Sequence, residues 1–355
     1  MNSEYKDNWQ ETRERFSVWW KRKEMDRPVM IVISPRLQQA RSNIQKTFVT
    51  EEERWTKLSD VIECSENYFG QTAFFGEALP HYWANLGAGS FGVFLGAIPV
   101  FAPDTVWYEP CIKDIEKAQL FLDHNSKWLN WSVEATRIAI NRSKGRYLVS
   151  VPDLIENLDT LAALLGTEEL LYNLADAPQE IHRLQKQLLD LWMKAYNIHY
   201  DLVKDESGWS SYAAFHVWGP GKTAKLQCDI SAMLSSGMFN DLALPYIKEQ
   251  CDYLDNSVYH LDGINAICHL DSLLKIDSLD CIQWTPGSGQ PDGGDSCWDF
   301  LYKKILNAGK CIHALIDAGN AKDFVKRFGK SGVLIWVTVA NEEEGRKLIE
   351  ELTGW

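Results

Sequence analysis

Short runs of β-branched and apolar residues recur along this chain, separated by charged, amphipathic stretches long enough for helices. Alternation of this kind predicts βα units and a parallel sheet. The runs fall near residues 30, 74, 148, 213, 259, 282, 313 and 336, which gives eight strands. A doubly wound sheet needs a glycine-rich phosphate turn near its first strand, and Gly87-Ala88-Gly89 does not open onto a helix after such a strand. The expected fold is therefore an α/β (β/α)8 TIM barrel with an N-terminal helical extension over residues 1–25. No linker rich in Pro, Gly or Ser divides the chain, so residues 1–355 read as one domain.

Charge narrows the partners. The chain carries 49 acidic against 36 basic side chains, a formal net charge of -13, with no Lys/Arg cluster. Nucleic acid and anionic membrane surfaces reward clustered positive charge, so neither is expected as a partner. No window reaches the ~18 consecutive apolar residues that span a bilayer, and the polar start lacks a signal-peptide core. A cytoplasmic protein is expected, its eight scattered cysteines reduced.

In a barrel the reactive groups follow the strands, so the polar residues after each apolar run are the candidates. His260 and Asp262 in Val258-Tyr259-His260-Leu261-Asp262-Gly263 lie two apart in extended chain and point the same way. They could grip a metal or a substrate; the competing reading is a satisfied strand-end His and an Asp that caps the next helix. Gln283 and Trp284 open a polar, glycine-containing segment that ends at Gly289 and reads equally well as a plain loop. The stretch from Trp218 to Asp229 reads as a long connecting loop, with Asp229 either catalytic or a helix N-cap. Glu77 follows the second strand as a candidate acid, base or ligand. Arg36, with Arg41 nearby, could hold a carboxylate or phosphate through its planar fork; a surface salt bridge is the rival.

The order of certain segments resembles the uroporphyrinogen decarboxylase superfamily. The residues that carry the resemblance are Asp159 through Tyr172 with Asp176-Ala177-Pro178, Ser235 through Phe239 with Leu244-Pro245-Tyr246, and Tyr259 through Gly263. The superfamily includes zinc methyltransferases whose strand-five motif reads His-x-Cys, with a second Cys after the last strand. Here His260 matches, Asp262 replaces the Cys, and no Cys follows Val333 to Ala340. The usual zinc triad is therefore not intact; His260, Asp262 and a carboxylate such as Glu77 could bind a divalent metal, zinc or a harder one, but the resemblance does not require it. The decarboxylase branch binds its substrate's carboxylates through an early Arg-rich motif, which Pro35 to Arg41 does not reproduce.

The leading expectation is methyl transfer between a small substrate and a corrinoid or other acceptor, the corrinoid carried by a partner protein. His260, Asp262 and Asp229 are the catalytic candidates, and Arg36, Glu77, Trp218, Gln283 and Trp284 the substrate-binding ones. Among the fifteen tryptophans, Trp83, Trp218, Trp284 and Trp336 lie near strand ends and could form an aromatic cage. The alternatives are a lyase that decarboxylates a small carboxylate held by Arg36, and a catalytically silent ligand-binding barrel. A homodimer is the default assembly.

Overall fold

A computed structural model describes residues 1–36 and 46–353; Arg41 lies outside them. Among the described residues the strands are β1 (Val29–Pro35), β2 (Thr72–Gly76), β3 (His81–Tyr82), β4 (Ile98–Phe101), β5 (Val106–Glu109), β6 (Leu148–Val149), β7 (Trp209–Tyr212), β8 (Val217–Pro220), β9 (Thr223–Gln227), β10 (Asn256–Asp262), β11 (Cys281–Thr285), β12 (Cys311–Leu315) and β13 (Val333–Thr338). Seven of them form one central sheet in the order β2-β1-β13-β12-β11-β10-β9. All its neighbours are parallel except β2, which runs antiparallel to β1. The chain is thus an α/β protein built on a mostly parallel sheet. Its strands carry long apolar runs, as strands buried on both faces do.

The remaining strands pair outside this sheet. β3 and β6 form a two-residue parallel pair, while β7 and β8 pair antiparallel with each other. Serine side chains bridge β6 to β7 and β7 to the sheet. Ser150 Oγ donates to the carbonyl of Ser211 at 2.8 Å and accepts from the amide of Ala213 at 3.0 Å, and Ser210 Oγ accepts from the amide of Thr223 at 3.1 Å.

Two strands differ from the reading of the sequence. The run near residue 74 is the antiparallel edge β2 rather than a βα unit. The sheet neighbour of β10 is β9, which lies inside the stretch read as a long polar loop. β9 alternates polar Thr223, Lys225 and Gln227 with Ala224 and Leu226, and all five are buried. Its polar face looks inward, so the rule that strand polar faces meet water hid it.

The N-terminal extension is part of the core. Helix α1 (Trp9–Trp20) buries Trp9, Thr12, Phe16, Trp19 and Trp20, a spacing that gathers large rings on one side. Trp20 Nε1 donates to the carbonyl of Trp218 at 2.9 Å, and Cys311, the first residue of β12, reaches the carbonyl of Trp19. Helix α1 therefore closes the end of the sheet where β12 begins.

An ion pair fastens that end. Both guanidinium arms of Arg27 donate to the Glu77 carboxylate at 2.7 Å, and the amide of Met30 donates to it at 2.8 Å. Glu77 has no exposed surface and Arg27 only 3%. Removing one partner of such a pair strands the other charge in a dry interior. Glu77→Ala should lower unfolding free energy by about 3–5 kcal/mol, measured by chemical denaturation.

Candidate functional site

One register line across four neighbouring strands is polar. Gln227 of β9 lies level with His260 of β10, His260 with Gln283 of β11, and Gln283 with His313 of β12. Apolar interiors do not tolerate such groups unless they satisfy one another. Gln283 Nε2 donates to the carbonyl of Trp284 at 3.0 Å and to Thr285 Oγ1 at 2.9 Å. Its Oε1 is left to accept, and it faces His260 Nδ1. His260 thus carries its proton on Nδ1 and presents the lone pair of Nε2. That nitrogen lies 4.0 Å from Asp262 Oδ2. With Asp229 added, one ligand atom from each of the three residues falls within 4.8 Å of the others.

The sequence folds to this arrangement because His260 and Asp262 occupy alternate positions of β10 and share a face. Asp229 begins the one-turn helix Asp229–Met233 directly after β9. Asp159, from the helix Asn157–Leu165, holds that turn by accepting the amides of Asp229 at 2.8 Å and Ile230 at 3.0 Å. Gln227 Nε2 donates to Asp229 Oδ2 at 2.8 Å and to Asp159 Oδ2 at 3.1 Å.

Behind this mouth lies a buried cation. Lys225 is only 3% exposed, and its Nζ lies 2.9 Å from Asp153 Oδ1 and bonds Gln227 Oε1. Tyr212 donates its hydroxyl to Asp153. Glu156 accepts the amide of Gln227 at 2.9 Å, while its Oε2 has no partner. Burial raises the Glu156 carboxyl well above its usual range, and Lys225 opposes the shift.

The mouth is crowded with carboxylates. Asp229 is pushed up to about 7, first by surrounding protein atoms that exclude water and then by Asp159, with Asp262 and Asp153 adding to it. Because Asp229 still keeps an exposed surface, solvent weakens the first contribution, and repulsion among the carboxylates carries more weight. His260 is pushed down by burial and then by Lys225, so its imidazole is favoured as the neutral base. Phe215 packs over His260 and His313 at ring separations of 5.5 and 5.6 Å, and its carbonyl accepts from His313 Nε2 at 2.9 Å.

Other expected site residues go elsewhere. Glu77 is bound to Arg27 at the end closed by α1, so it is not the third ligand beside His260 and Asp262; Asp229 takes that place. Arg36 spends its guanidinium on the carbonyls of Thr72 at 2.9 Å and Tyr5 at 3.0 Å. Trp218 packs among Trp9, Trp209 and Arg13 beside α1. Trp284 is fully buried with its ring against Trp298. The four tryptophans therefore do not meet in one cage. The segment from Trp284 to Ser288 does line, with Asp262 and Asp292, an open hollow of about 610 Å³ beside the carboxylates. All eight cysteines are free.

Sequence reading missed Lys225, Gln227, Asp153, Glu156 and Asp159. The legible signal for the first two was the strict alternation from Thr223 to Asp229, a strand with a polar face beside a strand end that holds His260. Asp153, Glu156 and Asp159 lie at and after the end of another apolar run, Tyr147 to Val151, which ends in Pro152-Asp153. Compared with known proteins, the chain matches no family model and no curated protein.

The raised Asp229 carboxyl has a stability consequence with a definite sign. Its pKa near 7 when folded exceeds the ordinary value of 3.8, so the folded state binds the proton more tightly. That contribution to stability is present below pH ~4 and is lost as pH rises through about 7. Asp229→Asn should melt at a higher temperature than the parent at pH 8 and at the same temperature near pH 4. Equal melting at both pH values would show that the carboxylate crowding is unimportant.

Proposed function

We propose that this chain is an enzyme whose centre is Asp229, His260 and Asp262, opening into the hollow beside Asp262. The observation that carries the reading is the convergence of these ligand atoms within 4.8 Å, with His260 aimed by Gln283. Oriented imidazole nitrogens of this kind are what metal centres and general bases share. We take the six parallel strands of the sheet and the β3–β6 pair, linked to it through the serine-bridged β7, as one (β/α)8 barrel, which sets the centre at the carboxyl ends of its strands.

One imidazole and two carboxylates suit a divalent cation that prefers oxygen, and the mutual repulsion of Asp229, Asp159 and Asp262 would be relieved by one. Such an ion would supply Lewis-acid polarisation of a substrate heteroatom. The chain's own residues define the rest. Gln283 fixes the imidazole, and Asp159 and Gln227 fix Asp229. With a cation bound, Asp229 would serve as an ionised ligand; its rise to about 7 belongs to the protein without one, where the carboxyl is matched to giving a proton at neutral pH. The resemblance in the order of sequence segments, the Tyr259–Gly263 motif among them, favours methyl transfer between a small substrate and a corrinoid on a partner protein or another acceptor.

A second reading rests on Lys225. Its charge acts on both His260 and Asp229, so in a lyase the substrate carboxylate would compete with Asp153 for Lys225 and Asp229 would protonate the product.

Titrating metal-stripped protein with Mn²⁺ and Zn²⁺ in a calorimeter separates these readings. Stoichiometric binding is expected, lost in His260→Ala and weakened by about 10–100-fold in Gln283→Leu. If neither ion binds, the metal-assisted reading fails. Incubation with methylcobalamin and small thiols, followed by loss of the cobalt–methyl absorption, tests methyl transfer; carbon dioxide release from small carboxylates would instead support the lyase.

A further inference from the structure

A second cavity lies on the far side of the turn that carries Phe215. Ala213–Phe215 form one 3-10 turn, and His216 follows in the left-handed region at φ 51. Phe215 faces His260 and His313, whereas His216 packs on His81 and on Trp336, each at a ring separation of 4.7 Å. Beyond His216 the cavity encloses about 520 Å³, the size of a small-molecule site.

The walls within reach of a ligand are aromatic. Trp55, Tyr68, Trp83 and Trp336 line the cavity, and each keeps solvent-accessible surface, Tyr68 as much as 52%. They come from four separate segments: helix Glu51–Thr56, helix Leu58–Gln71, the residue after β3, and β13. Half-open rings gathered in one cavity offer flat apolar faces to a flat partner.

One charge stands among them. Arg54 is the only Asp, Glu, Lys or Arg of the lining. Its two histidines are neutral, because burial drives His216 down to about 3, with His313 adding to it, and drives His81 well below its ordinary value. The Arg54 side chain is 48% exposed, and its Nε lies 2.9 Å from Glu51 Oε2, three residues earlier on the same helix. That oxygen has no hydrogen-bond partner, so the two are in ion contact alone, and pairs this exposed contribute little. The guanidinium lies over the Phe48 ring at 5.9 Å, a stacking that leaves its in-plane N–H groups for another acceptor.

The sign of a ligand's charge follows. An ammonium would be repelled by Arg54 and find no carboxylate in the lining, whereas a carboxylate gains a bidentate partner. The hollow beside Asp262 has the opposite character: Asp262, Asp292 and Asp317 line it, and no Lys or Arg does. An organic acid is therefore favoured in the aromatic cavity and disfavoured in that hollow.

We propose that this cavity binds a small aromatic carboxylate, its rings between the four aromatic walls and its carboxylate on Arg54. The site is separate from the Asp229–His260–Asp262 centre and does not depend on the reading given to it.

Three probes that share one ring system test it by calorimetric titration of the full chain: 2-naphthoate, the neutral 2-naphthamide and the cationic 2-naphthylmethylammonium. 2-Naphthoate should bind saturably, about tenfold or more tighter than the amide, and the ammonium should bind weakest. Arg54→Gln should bring naphthoate down to the level of the amide and leave the amide unchanged, while Arg54→Lys keeps part of the preference. Ala214→Trp fills the cavity from a half-buried position of its wall and should weaken naphthoate and amide alike, with circular dichroism to check that the variant is folded. His260→Ala should bind naphthoate as the parent does; loss there would move the binding to the carboxylate centre and refute the assignment. No naphthoate binding below about 1 mM, equal binding of naphthoate and naphthamide, or parent-like binding by Arg54→Gln or by folded Ala214→Trp would overturn the proposal.

Discussion

The need to satisfy polar side chains inside the sheet governs this protein. Gln227, His260, Gln283 and His313 share one register line across β9 to β12, where water cannot compensate a lost hydrogen bond. His260 and Gln283 satisfy each other, whereas Gln227 turns to Lys225, Asp159 and Asp229 and His313 to the carbonyl of Phe215. Two bonds from the Gln283 amide nitrogen turn its oxygen to His260, and that oxygen sets the imidazole tautomer. His313 in turn holds the carbonyl of Phe215, which positions the turn dividing the carboxylate centre from the aromatic cavity.

Charge is distributed by the same logic. The Arg27–Glu77 pair sits where α1 plugs the sheet and meets its backbone acceptors and donors fully. Another buried cation, Lys225, is shared between Asp153 and Gln227 just behind the mouth. Acidic groups that outnumber nearby cations are left at the mouth itself, where Asp229 retains contact with solvent. Stability and reactivity are thus separated along the strands: satisfied ions at one end, crowded carboxylates at the other.

Much of the architecture was legible because burial and period agree in it. The runs at β1, β10, β11, β12 and β13 are apolar and bounded by helical stretches, and with β9 they form the parallel part of the sheet. Their strand ends pointed to His260, Asp262 and Gln283, which do converge. β9 escaped because its Thr223, Lys225 and Gln227 look like a solvated face. Glu77 and Arg36 were misplaced for a related reason. A charged residue after an apolar run looks the same in sequence whether it faces a site or pairs with Arg27 from the opposite end.

The sequence by itself determined the alternation of strands and helices, the absence of a phosphate-binding turn, and the shared face of His260 and Asp262, because these follow from local period and chain geometry. Only the tertiary structure decided that Asp229 rather than Glu77 joins them, that Lys225 stands behind them, and that His81, Tyr82 and Trp336 meet around one cavity. Those outcomes depend on which distant strands become neighbours. Contacts between residues far apart in the chain are set by packing the whole sheet, which no local window records.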